Sequence, residues 1–250
     1  MPTIPEGAQK AAGYVADLAI TQLPRFAAPA LSSGLIRLMD FAIDGVSKFP
    51  SAKQLAGKTL LKKKDVAKAV DSIVRGHVAV AGSQGVLANI GGLVSAAVGV
   101  PANIAGVIIT QTRMAACIAH LHGYDVDDPR VRTALAMCLL GDRELDRQIA
   151  GGLLPTSPLA VATSPIHDAR LHAVVTSRVL SHVVQEATGK GVVDIVGRRI
   201  PIAGGAIGGI ADSYGTYQVA RTVKKHFILR RSTATWLASP GAGWPVYESN

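Results

Sequence analysis

His167, Asp168 and His172 fall within the stretch IHDARLH and carry side chains able to bind a metal ion or to move protons. Asp168 and His172 are four residues apart and so share a helix face, with His167 turned about 100° away from Asp168. A helical zinc hydrolase would place HExxH here. That pattern is missing, and no second cluster of Cys or carboxylates completes a ligand set. The other duty open to Asp168 is structural, because the first turn of a helix favours an acid. The triplet therefore offers a His/Asp site for a hydrolase of unrecognised type, and neither metal nor cofactor is expected. Ser157, Ser164 and Ser181 lie in no nucleophile elbow. The glycines of 204–209 follow no strand, so a phosphate-binding loop lacks its context.

A second polar group sits in apolar surroundings. In VPANIAGVIITQTRMAACIAHLHGY, residues 100–124, the positions Ile104, Val107, Gln111, Met114, Ile118 and Leu121 recur at helical spacing and draw one stripe. Gln111 stands in the middle of it. A buried amide must be hydrogen-bonded, so Gln111 either pairs with a neighbouring helix or lines a small polar pocket. Thr110, Arg113 and His120 share another face, open to a lipid phosphate, to solvent or to an acid such as Asp212. Asp212 is the only charge between Arg199 and Arg221, and an ion pair with Arg113 is the expected structural role.

The third group is basic. Residues 51–75 hold Lys53, Lys58, Lys62, Lys63, Lys64, Lys68 and Arg75 against Asp65 and Asp71. Near the end of the chain come Lys224, Lys225, Arg230 and Arg231. The whole chain carries +9 while being 48% apolar and only 4% aromatic. Such segments are either solvated faces or contacts for an anionic surface. Nucleic-acid sites interleave cations with aromatics, and 51–75 contains no aromatic. An anionic leaflet or a membrane protein is the expected partner, with no nucleic acid.

The elements that must position these groups read as helices throughout. Ala, Val, Ile, Leu and Gly dominate, alternation is absent, and strand formers are sparse. Helices are expected over 6–22, about 29–48 and from Asp65 to near Gly76. Further ones follow Pro129, Asp142 and Ile166, and a Gly-notched helix follows Pro201 to Phe227. The stretch 51–64 is a basic connection or a short amphipathic helix, and 151–165 is a loop. Between Gly76 and Thr112 lie 37 residues with no Asp, Glu, Lys or Arg. One membrane span needs about 20, but the run is broken by glycines and Pro101. Two packed core helices are preferred there over a spanning hairpin. The reading is an all-α, multi-helix bundle with two long central helices starting near Pro101 and Pro201. It forms a single domain over 1–231, followed by a disordered tail over 232–250. Cys117 and Cys138 both fall inside helices, which fits a reducing compartment. No signal peptide is read at the start.

GSQGVLANIGGL (82–93), VPANIAGVIITQTRMAACIAHLHGYDVDDPRVR (100–132), CLLG (138–141) and IPIAGGAIGG (200–209) together resemble the EcsC family of bacterial proteins. The match runs from about Asp65 to Phe227, and its most specific part is the Gln-x-x-Met helix followed by Gly-Tyr-Asp and an acidic turn. The resemblance implies an all-helical, membrane-associated bacterial protein of poorly defined function, with no catalytic motif to carry over. Taken together, the expectation is a non-enzymatic module on the cytoplasmic face of the membrane, binding anionic lipid or a membrane protein. A cytosolic, oligomeric interaction protein is the other non-enzymatic alternative.

Overall fold

The computed structural model describes residues 27–46, 49–83, 102–187 and 206–230. Within them the protein is all helical, as the composition requires. The helices are α1 (Ala27–Asp44), α2 (Ala52–Lys63), α3 (Val66–Gly82), α4 (Ala102–Leu121), α5 (Pro129–Cys138), α6 (Gly141–Ala150), α7 (Pro158–Ala162), α8 (Ala169–Ala187) and α9 (Ala206–His226). The expected helix over 6–22, the junction at Gly99–Pro101, Pro201 and the tail over 232–250 lie outside the described residues.

Several boundaries follow directly from local chemistry. Ser51 opens α2 with a reciprocal capping box: its hydroxyl accepts from Gln54 N, and the Gln54 side chain accepts from Ser51 N. Residues 52–63 are thus a helix rather than a connection. Lys64 closes α2 in the left-handed region, with φ of 54°, a position usually given to glycine. Asp65 then caps α3 by accepting from Lys68 N. This helix runs past the expected stop at Gly76, which is exposed, and continues to Gly82. Asp128 caps α5, whose first residue is Pro129. Inside 151–165, expected to be loop throughout, Ser157 caps the short α7.

The centre of the bundle is α4, which packs against α1, α2, α3 and α9. Among the described residues it is the one helix long and apolar enough to cross a membrane, yet 94% of its Ile104–Leu121 window is buried within the protein. Its apolar surface is satisfied by other helices, which is what a core helix requires. Thr110, Arg113 and His120, on the face opposite the apolar stripe, are buried as well, so of the partners open to them solvent is excluded.

α9 runs parallel to α4. Gln111 meets Thr216 and His122 meets Phe227 at the same sequence offset. α3 runs antiparallel to α9: Ser213 Oγ donates to Val78 O at 3.1 Å, and Lys224 approaches Asp71. The ends of α2, α4 and α9 and the start of α3 therefore lie at one end of the bundle. At that end the Tyr124 ring meets Phe227 edge to face at 4.8 Å. On the opposite flank, α5 packs against α7 and α8, and α8 also covers α1.

Candidate functional site

The cleft around the His/Asp triplet lies between α5, α7 and the start of α8. Its volume is about 180 Å³, and Arg130, Thr133, Ser164, His167 and Asp168 are in its lining. The caps of two helices meet here. The Asp168 carboxylate accepts from Arg170 N at 2.8 Å and Leu171 N at 3.1 Å, so it is committed to starting α8. Asp128 caps α5 and also holds Arg130 Nε at 3.0 Å to each carboxylate oxygen. Burial alone would raise the Asp128 carboxyl, but hydrogen bonds and charge from Arg130 outweigh it and hold the group below the usual range. Arg130 also reaches Ser164 O, tying the loop before α8 to α5.

His172 contributes the most specific geometry. The single proton of the Thr133 hydroxyl goes to Pro129 O at 2.8 Å, so the 2.8 Å contact between Thr133 Oγ1 and His172 Nδ1 needs the proton on the imidazole. That leaves Nε2 as an acceptor. Burial first, and then the nearby His167, lower His172 below its ordinary value, with Asp40 opposing them. The rings of His167 and His172 are 6.0 Å apart.

The three residues do converge on one corner, as a hydrolytic site would require. Two of the hydroxyls in the cleft are already committed. Thr133 and Ser164 direct their hydroxyls to backbone carbonyls, and Asp168 works as a cap. Among the described residues no three of His, Cys, Asp and Glu gather into a metal-binding group.

The buried polar pair is structural. Gln111 Nε2 donates to Thr216 Oγ1 at 3.4 Å across the α4–α9 contact. Gly215 lies beside this contact, and a Cβ there would meet the same nitrogen at 3.8 Å, an ordinary van der Waals distance. Arg113 turns away from α9. Its guanidinium lies 4.0 Å from the Phe49 ring centroid and donates to Ala42 O and Pro50 O at the corner joining α1 and α2. The expected approach of Arg113 to Asp212 is thus replaced by two carbonyls and an aromatic face. Asp212 lies part-exposed on α9.

The basic residues gather at the corner between α2 and α3. Lys58, Lys62, Lys63, Lys64 and Lys68 are all exposed, and none has an ion-pair partner among the described residues. Leu61, 53% exposed, stands among them. Lys53 differs, being paired with Asp127. Lys224 and Lys225 lie 4.0 Å from Asp71 and 3.5 Å from Asp142, exposed contacts of small energetic worth. Beyond them, Ile228 and Leu229 are exposed, while Arg230 stacks 4.9 Å over the Tyr124 ring and its N–H donates to His122 O. Arg231 is outside the described residues. The apolar members of this end were missed by sequence reading, since Leu61, Ile228 and Leu229 look like ordinary buried positions until their neighbours are placed.

No family model, curated protein or solved structure matches this chain.

Proposed function

We propose that the protein is a non-enzymatic peripheral membrane module that docks on anionic lipid at the cytoplasmic face. The observation that carries this reading is the corner between α2 and α3, where five exposed lysines with no ion-pair partner among the described residues stand along the chain on either side of the exposed Leu61. Solvated lysines on an ordinary helix face are spread among acids. Here the five lysines stand against one neighbouring acid, Asp65, which also caps α3. Each lysine close to an anionic surface contributes about 1 kcal/mol, acting over a Debye length of about 10 Å. Electrostatic attraction brings the corner to the headgroups, and shallow burial of Leu61 then adds apolar area. The same end of the bundle presents Ile228 and Leu229, so a second apolar contact is within the same reach. Residues 65–227, read from the sequence as similar to the EcsC family, point the same way.

Flotation of the purified chain with vesicles of phosphatidylcholine, with and without phosphatidylglycerol, tests the proposal. Flotation is expected only with the anionic lipid and is lost at high salt. The triple variant Lys62→Gln, Lys63→Gln, Lys64→Gln should bind about a hundredfold more weakly with an unchanged melting temperature. Equal flotation of the variant, or none by the parent chain, would sink the reading.

A further inference from the structure

The outward side of α9 has a composition that the basic corner does not explain. Tyr214, Tyr217, Arg221, Lys224 and Lys225 are all exposed, and by helical register they fall within an arc about 100° wide. Thr216, Val219, Ala220, Val223 and Phe227 occupy the opposite, buried side. Tyr214 is 63% and Tyr217 47% exposed, an unusual outlay of aromatic surface in a chain that is 4% aromatic. α3 lies alongside and continues the face. Asp71 and Lys224 meet in the open, and Lys68 and Arg75 are exposed on the same helix. Asp71 answers Lys224 and Asp142 answers Lys225, so five cations stand against two carboxylates.

The face is also ordered along its length. The contact between Ser213 and Val78 sets the tyrosines beside the second half of α3, where from Gly76 onward the sequence carries no Asp, Glu, Lys or Arg. The cations begin at this boundary, with Arg75 level with Tyr217, and continue to the other end. From Tyr214 to Lys225 the helix rises about 16 Å. Nucleic-acid grooves interleave aromatics with cations, whereas along α9 both tyrosines precede all the cations, with Tyr217 at the boundary beside Arg221 and Arg75. Phenol rings at the charge-free end suit the zone between headgroup and acyl chain, and the cations suit the phosphates.

We infer that the outer face shared by α3 and α9 lies along an anionic phospholipid bilayer, with Tyr214 and Tyr217 at headgroup depth and Arg75, Arg221 and Lys224 on lipid phosphates. This rests on the peripheral membrane reading and adds to it a defined orientation. The basic corner, at the start of α3, then forms one end of the contacting plane rather than an isolated tip.

A single reporter at position 217 tests the orientation. Cys117 and Cys138 are fully buried and their thiols are raised by burial, that of Cys117 to about 12. An introduced cysteine is therefore the one labelled at neutral pH. Tyr217→Cys and, on the far side of the molecule, Ser177→Cys would each carry a nitrobenzoxadiazole dye and be mixed with phosphatidylcholine–phosphatidylglycerol vesicles. The expected result is a blue shift and quenching by headgroup-region spin-labelled lipid at 217, with neither at 177. The double variant Arg75→Gln, Arg221→Gln should lose about thirtyfold in partitioning, each cation being worth about fivefold. Flotation with no change at 217 overturns the orientation and leaves the membrane reading standing. Absence of flotation overturns both. A shift at 217 produced by a single-stranded oligonucleotide, and not by vesicles, would assign the face to nucleic acid and overturn the inference.

Discussion

Arg113 shows how a side chain that looks functional in sequence is consumed by structure. It is buried in the middle of α4 and bridges two carbonyls of the α1–α2 corner while covering Phe49. Burial lowers its proton affinity from the ordinary value, with Cys117 opposing. Arg113→Ala leaves both carbonyls unpaired, at a cost of about 2–4 kcal/mol, visible as a lower urea midpoint. Histidine protonation adds a pH dependence at the same scale. His77 is lowered from 6.5, mainly by burial, with Arg113 contributing and the bond to Ile73 O opposing. His122 is lowered chiefly by burial too. Below 6.5 the unfolded chain takes up protons that the folded one refuses. This stabilisation is full above 6.5 and declines as pH falls toward the folded values. The urea midpoint should drop between pH 7 and 5.5, and His77→Asn should flatten that drop. The bonding of Gln111 was readable from its place in an apolar stripe. Its partner Thr216, at a sequence separation of 105, was not, because nothing local specifies which helix comes near.

At the level of elements, caps were the most legible signals. Asp65 and Pro129 marked α3 and α5 from sequence, with Asp127 or Asp128 as the cap of α5, and Asp65 and Asp128 do accept from their own helices. Asp168, read first as a possible ligand, turned out to belong to the same class. The corner at Lys64 was not legible, since a lysine gives no hint of a left-handed backbone. Its φ of 54° costs about 1 kcal/mol relative to glycine. Lys64→Gly should therefore raise stability by about 0.5–1 kcal/mol while lowering affinity for anionic vesicles about fivefold. Denaturation and flotation on the same preparation separate the two effects. A functional lysine held at a small cost in stability is the pattern that outcome would support.

For the molecule as a whole, helical class and a central helix after Pro101 followed from composition and periodicity. Which surfaces stay open did not. The outer side of α9 and the apolar members of the basic end depend on contacts between helices far apart in sequence. One of those contacts governs how the chain is made. α4 is completed about a hundred residues before the part of α9 that covers Gln111. At a synthesis rate of 5–20 residues per second, that is an interval of roughly 5–20 s. During it, a helix with the length and hydropathy of a membrane span has lost one of its eventual covers. The nascent chain thus faces a competition between completing its bundle and surrendering α4 to a bilayer. Chains halted before residue 206 should accordingly sediment with membranes in a salt-resistant manner, while released full-length chains should not.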